Sequence, residues 1–487
     1  MLVRQSQNSF IRFKGQHGYI VNQMTRWDRA YNETGTDFLR TLSRCPQDIS
    51  KIVKDNLLPL YYNIQYDELY NDYLSFILDL ERNLFVVTGE TIEELDSKDP
   101  VFSYALGNMK TQTEDFSQHT NEFVSETTKD LCVESAQRKP YLMTLEFELT
   151  SRCNERCIHC YIPNAKKNKG KDMPLKKVKS IIDEFYDMGG LHVTLSGGEA
   201  FLHPKLIEVM NYCREKDMQI SILSNLIAIK DEHIKAIALA NVSVVQVSLY
   251  SMIPAHHDYI TTIPGSFVRT KAAIEKLVEA NVPVQISCPV MKANYKDYKD
   301  VMSYAKSLNI KAQTDYIMMA QSNLETQNLA NRLSLQETEE FLRELILNDS
   351  HYREFTLKQK SISEGTPLEL ERYRQQPLCS AGISACCITE NGDVYPCAGW
   401  QGMVIGNIYK QSLKDIWENS KKVKGIRNVT HGDFPKCLEC EAQDYCATCL
   451  VRNYNETGNM FNLPQHFCDV AFLNKKIVEE YTTQGLI

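Results

Sequence analysis

The sequence predicts an α/β protein in which a partial (β/α)6 barrel lies between a small N-terminal module and a cysteine-rich C-terminal region. Six apolar strand-like segments alternate with helical patterns over residues 140–335, which is typical of a parallel sheet. Nine of the 16 cysteines lie between Cys379 and Cys468. The expected division of the 487 residues is 1–95, a connecting segment over 96–139, 140–335, a helical bridge over 336–376, and 377–487.

Residues 1–95 combine short strands with helices in a winged-helix-like order. The stretches IRFKG (11–15) and YIVNQM (19–24) are typical of two strands joined by a turn. Helical patterns follow over 34–45, 46–57 and 66–85, and residues 86–88 favour a closing strand or wing. Residues 96–139 are polar and irregular, so we expect them to connect this module to the barrel.

The barrel region contains six strand candidates separated by amphipathic helices. Two of these helices are clear: residues 175–188, with Gly189 as a C-terminal cap, and residues 269–282. Parallel βα units place their chemistry at the carboxyl ends of the strands. The strand candidates are 142–150, 191–196, 219–224, 242–249, 284–290 and 312–318.

Composition excludes several classes of function. The net charge is −8, and helix 34–45 carries only Arg40 and Arg44 beside Asp37, so nucleic acid is not an expected partner. No apolar run of 18 residues occurs, so no membrane span is expected. The first residues lack the apolar core of a signal peptide, so we expect a cytoplasmic protein. Clustered cysteines in a reducing compartment indicate metal binding or catalysis rather than disulfides.

The first barrel strand leads into a three-cysteine motif. Cys153, Cys157 and Cys160 form C-x3-C-x2-C in the segment LTSRCNERCIHCY. Three thiolates can hold three irons of a [4Fe–4S] cube and leave the fourth iron open to an external ligand. The alternative is a structural zinc site, for which His159 is poorly placed because it lies inside the loop.

A second motif follows the next strand, in the segment LSGGEAFLHP with Gly197, Gly198 and Glu199. In this order the two motifs resemble the radical S-adenosylmethionine (SAM) superfamily. There SAM binds the open iron, and its reductive cleavage gives a 5′-deoxyadenosyl radical that abstracts a hydrogen atom. The resemblance assigns the GGE segment to the SAM amino group. By the same resemblance, SAM contacts are expected from the polar residues Ser224, Asn225, Ser248 and Arg269, and from His159 against the adenine.

The C-terminal cysteines resemble the SPASM extension of radical SAM enzymes that modify peptides and proteins, as do GDVYPC and GNI. The resemblance implies two auxiliary [4Fe–4S] clusters, hence three in all. One would use Cys379, Cys397, Cys449 and either Cys386 or Cys387. The other would use Cys437, Cys440, Cys446 and Cys468. The two-residue gap between Cys446 and Cys449 is shorter than the usual three, and structural zinc sites are the alternative.

Residues 1–95 resemble the PqqD-like element that binds the leader of a precursor peptide as a strand added to a sheet edge. The resemblance implies a maturase of ribosomally made peptides (RiPPs) with a one-electron donor such as flavodoxin or ferredoxin. Ala398 replaces the aspartate of sulfatase-maturing relatives. We expect an intramolecular crosslink, with a thioether from cysteine sulfur to carbon favoured. The alternatives are carbon–carbon crosslinking, epimerisation or dehydrogenation, and a zinc-stabilised peptide-binding scaffold that is not an enzyme. The sequence indicates no catalytic acid or base.

Overall fold

The computed structural model describes residues 1–14, 17–24, 28–99, 124–126, 140–167, 170–349, 352–354, 366–446 and 448–487. Most of the expected connecting segment therefore lies outside the described residues. Within the described ranges, no helix is long and apolar enough to cross a lipid bilayer.

The N-terminal module consists of two small antiparallel sheets and a group of helices. The strands are β1 (Leu2–Gln5), β2 (Ser9–Lys14), β3 (His17–Asn22), β4 (Asp28–Tyr31), β5 (Gln47–Asp48), β6 (Val86–Gly89) and β7 (Val124–Glu126). The helices are α1 (Glu33–Arg40), α2 (Ile49–Ile52), which continues as a π-helix over Val53–Leu57, α3 (Tyr66–Arg82) and α4 (Ile92–Lys98). One sheet has the order β5-β1-β6 and the other β2-β3-β4-β7. The predicted strands and the three helices are present, whereas β1, β4, β5, β7 and α4 were not predicted, and β5 occupies the start of the predicted helix 46–57.

The barrel contains all six predicted strands in sequential parallel order, so the predicted fold class is confirmed. Alternate strand residues are apolar and pack against the surrounding helices, which bury Leu145, Phe147, Val193 and Leu195 completely. The strands are β8 (Thr144–Glu148), β9 (His192–Ser196), β10 (Gln219–Ser224), β11 (Val244–Ser248), β12 (Val284–Pro289) and β13 (Lys311–Asp315). The helices are α5 (Leu175–Asp187), α6 (Leu206–Glu215), α7 (Asp231–Leu239), α8 (Pro254–Thr261), α9 (Ser266–Glu279) and α10 (Tyr298–Ser307).

The barrel sheet does not end at β8, because a strand of the cysteine-rich region continues it. The sequence predicts a domain of its own over residues 377–487, yet β14 (Ala385–Thr389) of this region pairs in parallel with β8. Strand β8 would otherwise be a sheet edge, and the short apolar run ACCIT satisfies its backbone groups. Two further strands, β15 (Asp393–Tyr395) and β16 (Gly406–Asn407), complete a nine-stranded sheet.

Helices dominate the remainder of the chain. The predicted bridge contains α11 (Leu335–Asn348) and α12 (Pro367–Gln375), and a capping box between Ser334 and Glu337 fixes the start of α11. A partly buried ion pair from Arg332 to Glu456, 2.6 Å long, joins the end of the barrel to the cysteine-rich region. The later helices are α13 (Leu413–Asn419), α14 (Lys421–Arg427), α15 (Pro435–Leu438), α16 (Leu450–Thr457) and α17 (Gln465–Thr483).

The N-terminal module packs against the amino ends of the barrel strands. Arg12 Nε donates to the Gly190 carbonyl at 2.8 Å, and the Tyr19 hydroxyl donates to the Gly189 carbonyl at 3.0 Å. Phe10 and Tyr141 belong to a small apolar cluster across this junction. Both glycines immediately precede β9. The module therefore lies at the end of the barrel opposite the carboxyl ends, where the three-cysteine loop begins.

Candidate active site

The loop that carries Cys153, Cys157 and Cys160 follows the carboxyl end of β8 and is held by backbone contacts on two sides. Arg156 N donates to the Thr261 carbonyl at 3.1 Å, which ties the loop to the end of α8. On the other side, Asn331 Nδ2 donates to the Ile158 carbonyl at 3.1 Å. The loop conformation is therefore fixed by protein contacts.

The three thiols of this loop face a common space. Burial raises the pKa of Cys153 to about 11 and also raises the pKa of Cys157. Lys167 is buried beside them. Although burial by itself lowers the pKa of its ammonium group, the thiolates of Cys160, Cys153 and Cys157 raise it. All three sulfurs thus lie close enough to influence one ammonium group, that of Lys167. Together they form a set of donors suited to iron, which is cationic and binds thiols in their deprotonated form.

The arrangement of the cysteines differs from a mononuclear metal site. Among the residues that the structure describes, no three His, Cys, Asp or Glu side chains are arranged to hold a single metal ion. In an iron–sulfur cube each thiolate binds a different iron. The cysteines that hold a cube therefore stand farther apart than the ligands of a single zinc ion.

Gly197 and Gly198 bring the turn after β9 against the cysteine loop. A Cβ atom at Gly197 would collide with the Thr150 carbonyl, and one at Gly198 would collide with the Arg152 carbonyl. The φ angle of Gly197 is +132°, which side chains disfavour. Gly198 N donates to the Thr150 carbonyl at 2.8 Å. The two glycines therefore let two backbone segments lie side by side next to the three thiols.

Glu199 connects this turn to the end of β10. Its Oε1 accepts from Ser224 Oγ at 2.7 Å, and its Oε2 accepts from Asn225 N at 2.8 Å. Asn225 Nδ2 also donates to Asn154 Oδ1 in the cysteine loop at 2.7 Å. Burial raises the pKa of Glu199. The structure thus brings Glu199, Ser224 and Asn225 together beside the cysteine loop.

His159 lies in the same buried region, against a tyrosine that sequence reasoning missed. Its Nε2 is 3.5 Å from the Tyr250 hydroxyl, which is also 4.0 Å from Cys157 Sγ. Burial lowers the pKa of His159 to about 4, so the ring is neutral, and its buried Nδ1 has no partner within the described structure. A buried atom without a partner is suited to a ligand. The position of Tyr250, directly after the predicted barrel strand 242–249, was the available signal.

Ser248 and Arg269 occupy different surroundings. Ser248 ends β11 and lies near the Tyr250 hydroxyl, whose pKa burial raises and Ser248 lowers. Arg269 is exposed on the first turns of α9, where Nε donates to the Gly265 carbonyl at 3.1 Å. No described contact joins Arg269 to the three thiols or to Glu199. The structure brings Ser248 to the site and leaves Arg269 at its periphery.

The C-terminal cysteines fall into two groups. The pKa of Cys397 is raised to about 12 by burial and by the neighbouring Cys449 and Cys379. The pKa of Cys437 is raised to about 11 by burial and by Cys446, Cys468 and Cys440. Members of the second group, together with Cys449, line a cavity of about 690 Å³. The structure therefore brings the members of each predicted ligand set near one another, and cluster binding by these cysteines stays a prediction.

The two adjacent cysteines of β14 face opposite sides of the sheet. Cys386 belongs to the apolar core, as does Ile388. Cys387 is the cross-strand neighbour of Glu146. Burial, the carboxylates of Glu148 and Glu146, and Cys397 together raise the pKa of Cys387. Of the two candidates, Cys387 therefore shares the inner face of the barrel with the Cys397 group.

Two carboxylates on that inner face were not predicted. Glu148 accepts from Gln401 Nε2 at 2.8 Å and from the Tyr161 hydroxyl at 3.3 Å, and Glu146 accepts from Ser196 Oγ at 2.7 Å. Burial, together with the carboxylates of Glu146 and Glu390, raises the pKa of Glu148 to about 8. The alternation in TLEFE places both glutamates opposite the buried Leu145 and Phe147, and this alternation was the signal that could have identified them.

Comparisons with known proteins agree with this geometry. Residues 147–305 match the radical SAM superfamily, and residues 379–449 match the iron–sulfur cluster-binding domain called SPASM. The chain therefore carries a radical SAM domain followed by a SPASM domain, and it is a radical SAM enzyme that uses SAM and iron–sulfur clusters. The zinc-stabilised scaffold that was considered from the sequence is wrong.

The chain is similar to enzymes with different substrates. It is 25% identical over 327 residues to an AdoMet-dependent heme synthase of Methanosarcina barkeri, covering 65% of this chain and 93% of the relative. It is 25% identical over 322 residues to the antilisterial bacteriocin subtilosin biosynthesis protein AlbA of Bacillus subtilis, covering 65% and 69%. A PqqA peptide cyclase of Methylocella silvestris is 23% identical, covering 61% and 79%.

Solved structures share the fold over most of the chain. Streptococcus suis SuiB bound to precursor peptide SuiA superimposes with a TM-score of 0.62 at 16% identity, covering 95% of this chain and 98% of that chain. The protein anSMEcpe with bound AdoMet gives a TM-score of 0.55 at 17% identity, covering 71% and 94%. The match to SuiB includes the N-terminal module, whereas the match to anSMEcpe covers a smaller part of the chain.

Proposed function

We propose that the enzyme is a RiPP maturase that installs an intramolecular crosslink in a ribosomally made precursor peptide. The observation that carries the proposal is the pairing of β14 with β8. It places Cys387 opposite Glu146 on the inner face of the barrel and near Cys397. A substrate inside the barrel then lies between two groups of thiolates. The similarity to AlbA and to PqqA peptide cyclase supports a peptide substrate.

The proposal assigns three [4Fe–4S] clusters to the three cysteine groups. Cys153, Cys157 and Cys160 hold the first. Cys379, Cys387, Cys397 and Cys449 hold the second, and Cys437, Cys440, Cys446 and Cys468 hold the third. When bound, SAM and the first cluster supply a 5′-deoxyadenosyl radical that abstracts a hydrogen atom. A one-electron donor such as flavodoxin or ferredoxin is required.

The protein groups around the first cluster have distinct roles in the proposal. Gly197 and Gly198 let the backbone come close to the bound cofactor. Glu199, oriented by Ser224 and Asn225, presents its buried carboxylate beside the SAM amino group. His159 and Tyr250 form the wall against the adenine. Ser248 completes the site. Arg269 lies exposed at the rim, where its Nε donates to the Gly265 carbonyl.

A thioether from cysteine sulfur to carbon is the favoured product. Iron–sulfur sites take soft thiolate ligands, so a group of thiolates beside the barrel interior suits a substrate that contains cysteine. In the crosslink a C–H and an S–H bond are replaced by a C–S bond. The 5′-deoxyadenosyl radical would take the hydrogen atom from carbon, the thiol proton would go to solvent, and the remaining electron would go to an auxiliary cluster. Carbon–carbon crosslinking, epimerisation and dehydrogenation are the alternative reactions of the same site. The heme synthases among the relatives make a tetrapyrrole the alternative substrate.

The experiment that tests the proposal combines metal analysis with mass spectrometry. After anaerobic reconstitution, about twelve irons and as many sulfides per chain are expected for three cubes. The enzyme is then co-expressed with a candidate precursor, chosen from any short peptide gene found next to its own. A thioether lowers the peptide mass by two hydrogens and removes one cysteine from alkylation by iodoacetamide. A carbon–carbon bond lowers the mass but leaves the cysteine reactive, and epimerisation leaves the mass unchanged. An unmodified peptide, with turnover of an iron porphyrin instead, would overturn the proposal.

A further inference from the structure

The chain between Cys160 and α5, which we call the strap, returns to the loop of the three cysteines before α5 begins. Gly170 N donates to Ser151 Oγ at 2.9 Å. Arg152 donates twice to the Asp172 carboxylate, from Nε at 3.1 Å and from Nη2 at 2.8 Å. The strap therefore leaves the cysteine loop after its last cysteine and is attached to it again just before the first.

The strap carries Lys167, the only buried lysine among the residues that the structure describes. Lys167 is 6% exposed, whereas the preceding residue, Lys166, is exposed to solvent. Within the described parts of the chain, no carboxylate forms an ion pair with the Lys167 ammonium group. Burial of an ammonium group is costly unless negative charge compensates it. Lys167 therefore requires a source of negative charge other than an acidic side chain in ion-pair contact.

The three thiols of the cysteine loop are the source of this charge. Burial by itself lowers the pKa of Lys167, but the thiolates of Cys160, Cys153 and Cys157 raise it above its usual value. In the opposite direction, burial raises the pKa of the Cys153 thiol, and Lys167 lowers it. Each group thus favours the charged form of the other, as oppositely charged neighbours do in a site with little solvent.

The other charged side chains of this region do not take the place of Lys167. Arg156 uses Nη1 to donate to the carbonyls of Cys153 and Glu155, at 2.8 and 2.7 Å. The buried carboxyl groups of Glu199 and Glu155 act against Lys167, because both raise the pKa of Cys153. Lys167 is therefore the buried cation whose charge is available to the thiols.

We propose that Lys167 is the counter-ion of the first cluster and that its positive charge makes this cluster easier to reduce. The one-electron donor loses one electron, and the cluster with its thiolates gains one negative charge. A fixed cation in the same buried site stabilises the more negative state, and charge is among the factors that set the potential of an iron–sulfur cluster. The inference rests on the cluster that the proposed function assigns to Cys153, Cys157 and Cys160, and it is independent of the peptide substrate.

The test uses the full-length, reconstituted enzyme and three variants. Lys167→Met removes the charge but keeps a long unbranched side chain, and Lys167→Arg keeps the charge. The matched control Lys166→Met removes an exposed charge one residue away. Each protein is equilibrated with redox mediators at a series of potentials, and paramagnetic resonance measures the reduced fraction of its clusters. The signal that changes when SAM is added identifies the first cluster. Calorimetry measures SAM binding, and iron analysis measures cluster content.

We expect the ratio of reduced to oxidised first cluster, at a fixed potential, to fall at least tenfold in Lys167→Met. In Lys167→Arg and Lys166→Met the ratio should stay within threefold of the wild type, and the auxiliary clusters should be unchanged in all variants. An unchanged ratio in Lys167→Met would overturn the inference. Weaker SAM binding with an unchanged ratio would also overturn it, because Lys167 would then serve the cofactor.

Iron analysis covers the case in which a variant does not hold its first cluster. Loss of about four irons from Lys167→Met alone would support the inference, since the charge is then needed to retain the cluster. The same loss from Lys167→Arg would overturn it, because the site would then need the shape of lysine rather than its charge. A wild-type enzyme without a signal that responds to SAM would overturn the cluster assignment as well, so the two failures are distinguishable.

Discussion

Gln401 Nε2 lies 2.8 Å from each carboxylate oxygen of Glu148, and both residues are buried. A side chain of the SPASM region thus closes on the first barrel strand. The same carboxylate accepts from the Tyr161 hydroxyl, next to the last cysteine of the first motif. One glutamate therefore links the barrel, the cysteine loop and the SPASM region, and its protonation state bears on the stability of all three.

The first prediction concerns the pH dependence of stability. Glu148 has a pKa of about 8 in the folded protein, above its value in an unfolded chain, so the folded state binds the extra proton between pH 4.5 and 8. Stability then falls as pH rises through this window, by at most about 1.4 kcal/mol per pH unit. We expect Glu148→Gln to reduce the loss of melting temperature between pH 6 and 8. Glu208→Gln, on an exposed carboxylate paired with Lys205, should leave it unchanged. Equal pH profiles for Glu148→Gln and the wild type would contradict the assignment.

The second prediction separates the two adjacent cysteines of β14. Cys387 faces the Cys397 group, whereas Cys386 lies in the apolar core. We expect Cys387→Ala to lose up to about four irons per chain, or to change the paramagnetic resonance of the reduced enzyme. Cys386→Ala should keep the iron and lose about 1 kcal/mol of stability, because only packing is removed. The reverse pattern in the iron analysis would assign the ligand to Cys386.

The third prediction tests the close backbone contact at the GGE turn. In Gly198→Ala the new methyl group meets the Arg152 carbonyl, which cannot move away as a flexible side chain would. The turn and the cysteine loop must separate, so we expect 5′-deoxyadenosine formation to fall at least tenfold. Gly425→Ala is the control, because nothing lies within 4 Å of its added methyl group. Unimpaired SAM cleavage in Gly198→Ala would show that the contact is not needed.

The fourth prediction concerns Glu199. Its carboxylate accepts from Phe201 N, Ser224 Oγ and Asn225 N, and a glutamine would turn an NH2 group toward one of these donors. We expect Glu199→Gln to lose about 1–3 kcal/mol of stability and to weaken SAM binding. Thermal melting and equilibrium binding of SAM measure the two effects, with Glu208→Gln as the control. A variant with normal melting but weak SAM binding would assign Glu199 to the cofactor alone.

Much of the fold follows from local sequence patterns. The six barrel strands were predictable because alternating apolar residues and amphipathic helices are signals within a few residues of each other. The C-x3-C-x2-C and GGE motifs are local signals of the same kind. All three thiols of the first motif lie within the eight residues 153–160, so this short segment sets their spacing. In the N-terminal module the local signals identified three helices, but they missed β1 and β4. These short strands depend on partners distant in the chain.

The sequence by itself determined the class of chemistry, because the ligand types and their spacing lie within short segments of the chain. Only the tertiary structure distinguished Cys387 from Cys386, since the pairing of β14 with β8 decides which side of the sheet each residue faces. It also placed Glu146, Glu148 and Tyr250 at the site and β7 on the edge of β4. The physical reason is that strand pairing joins residues far apart in sequence, and the choice of partner depends on every other available edge.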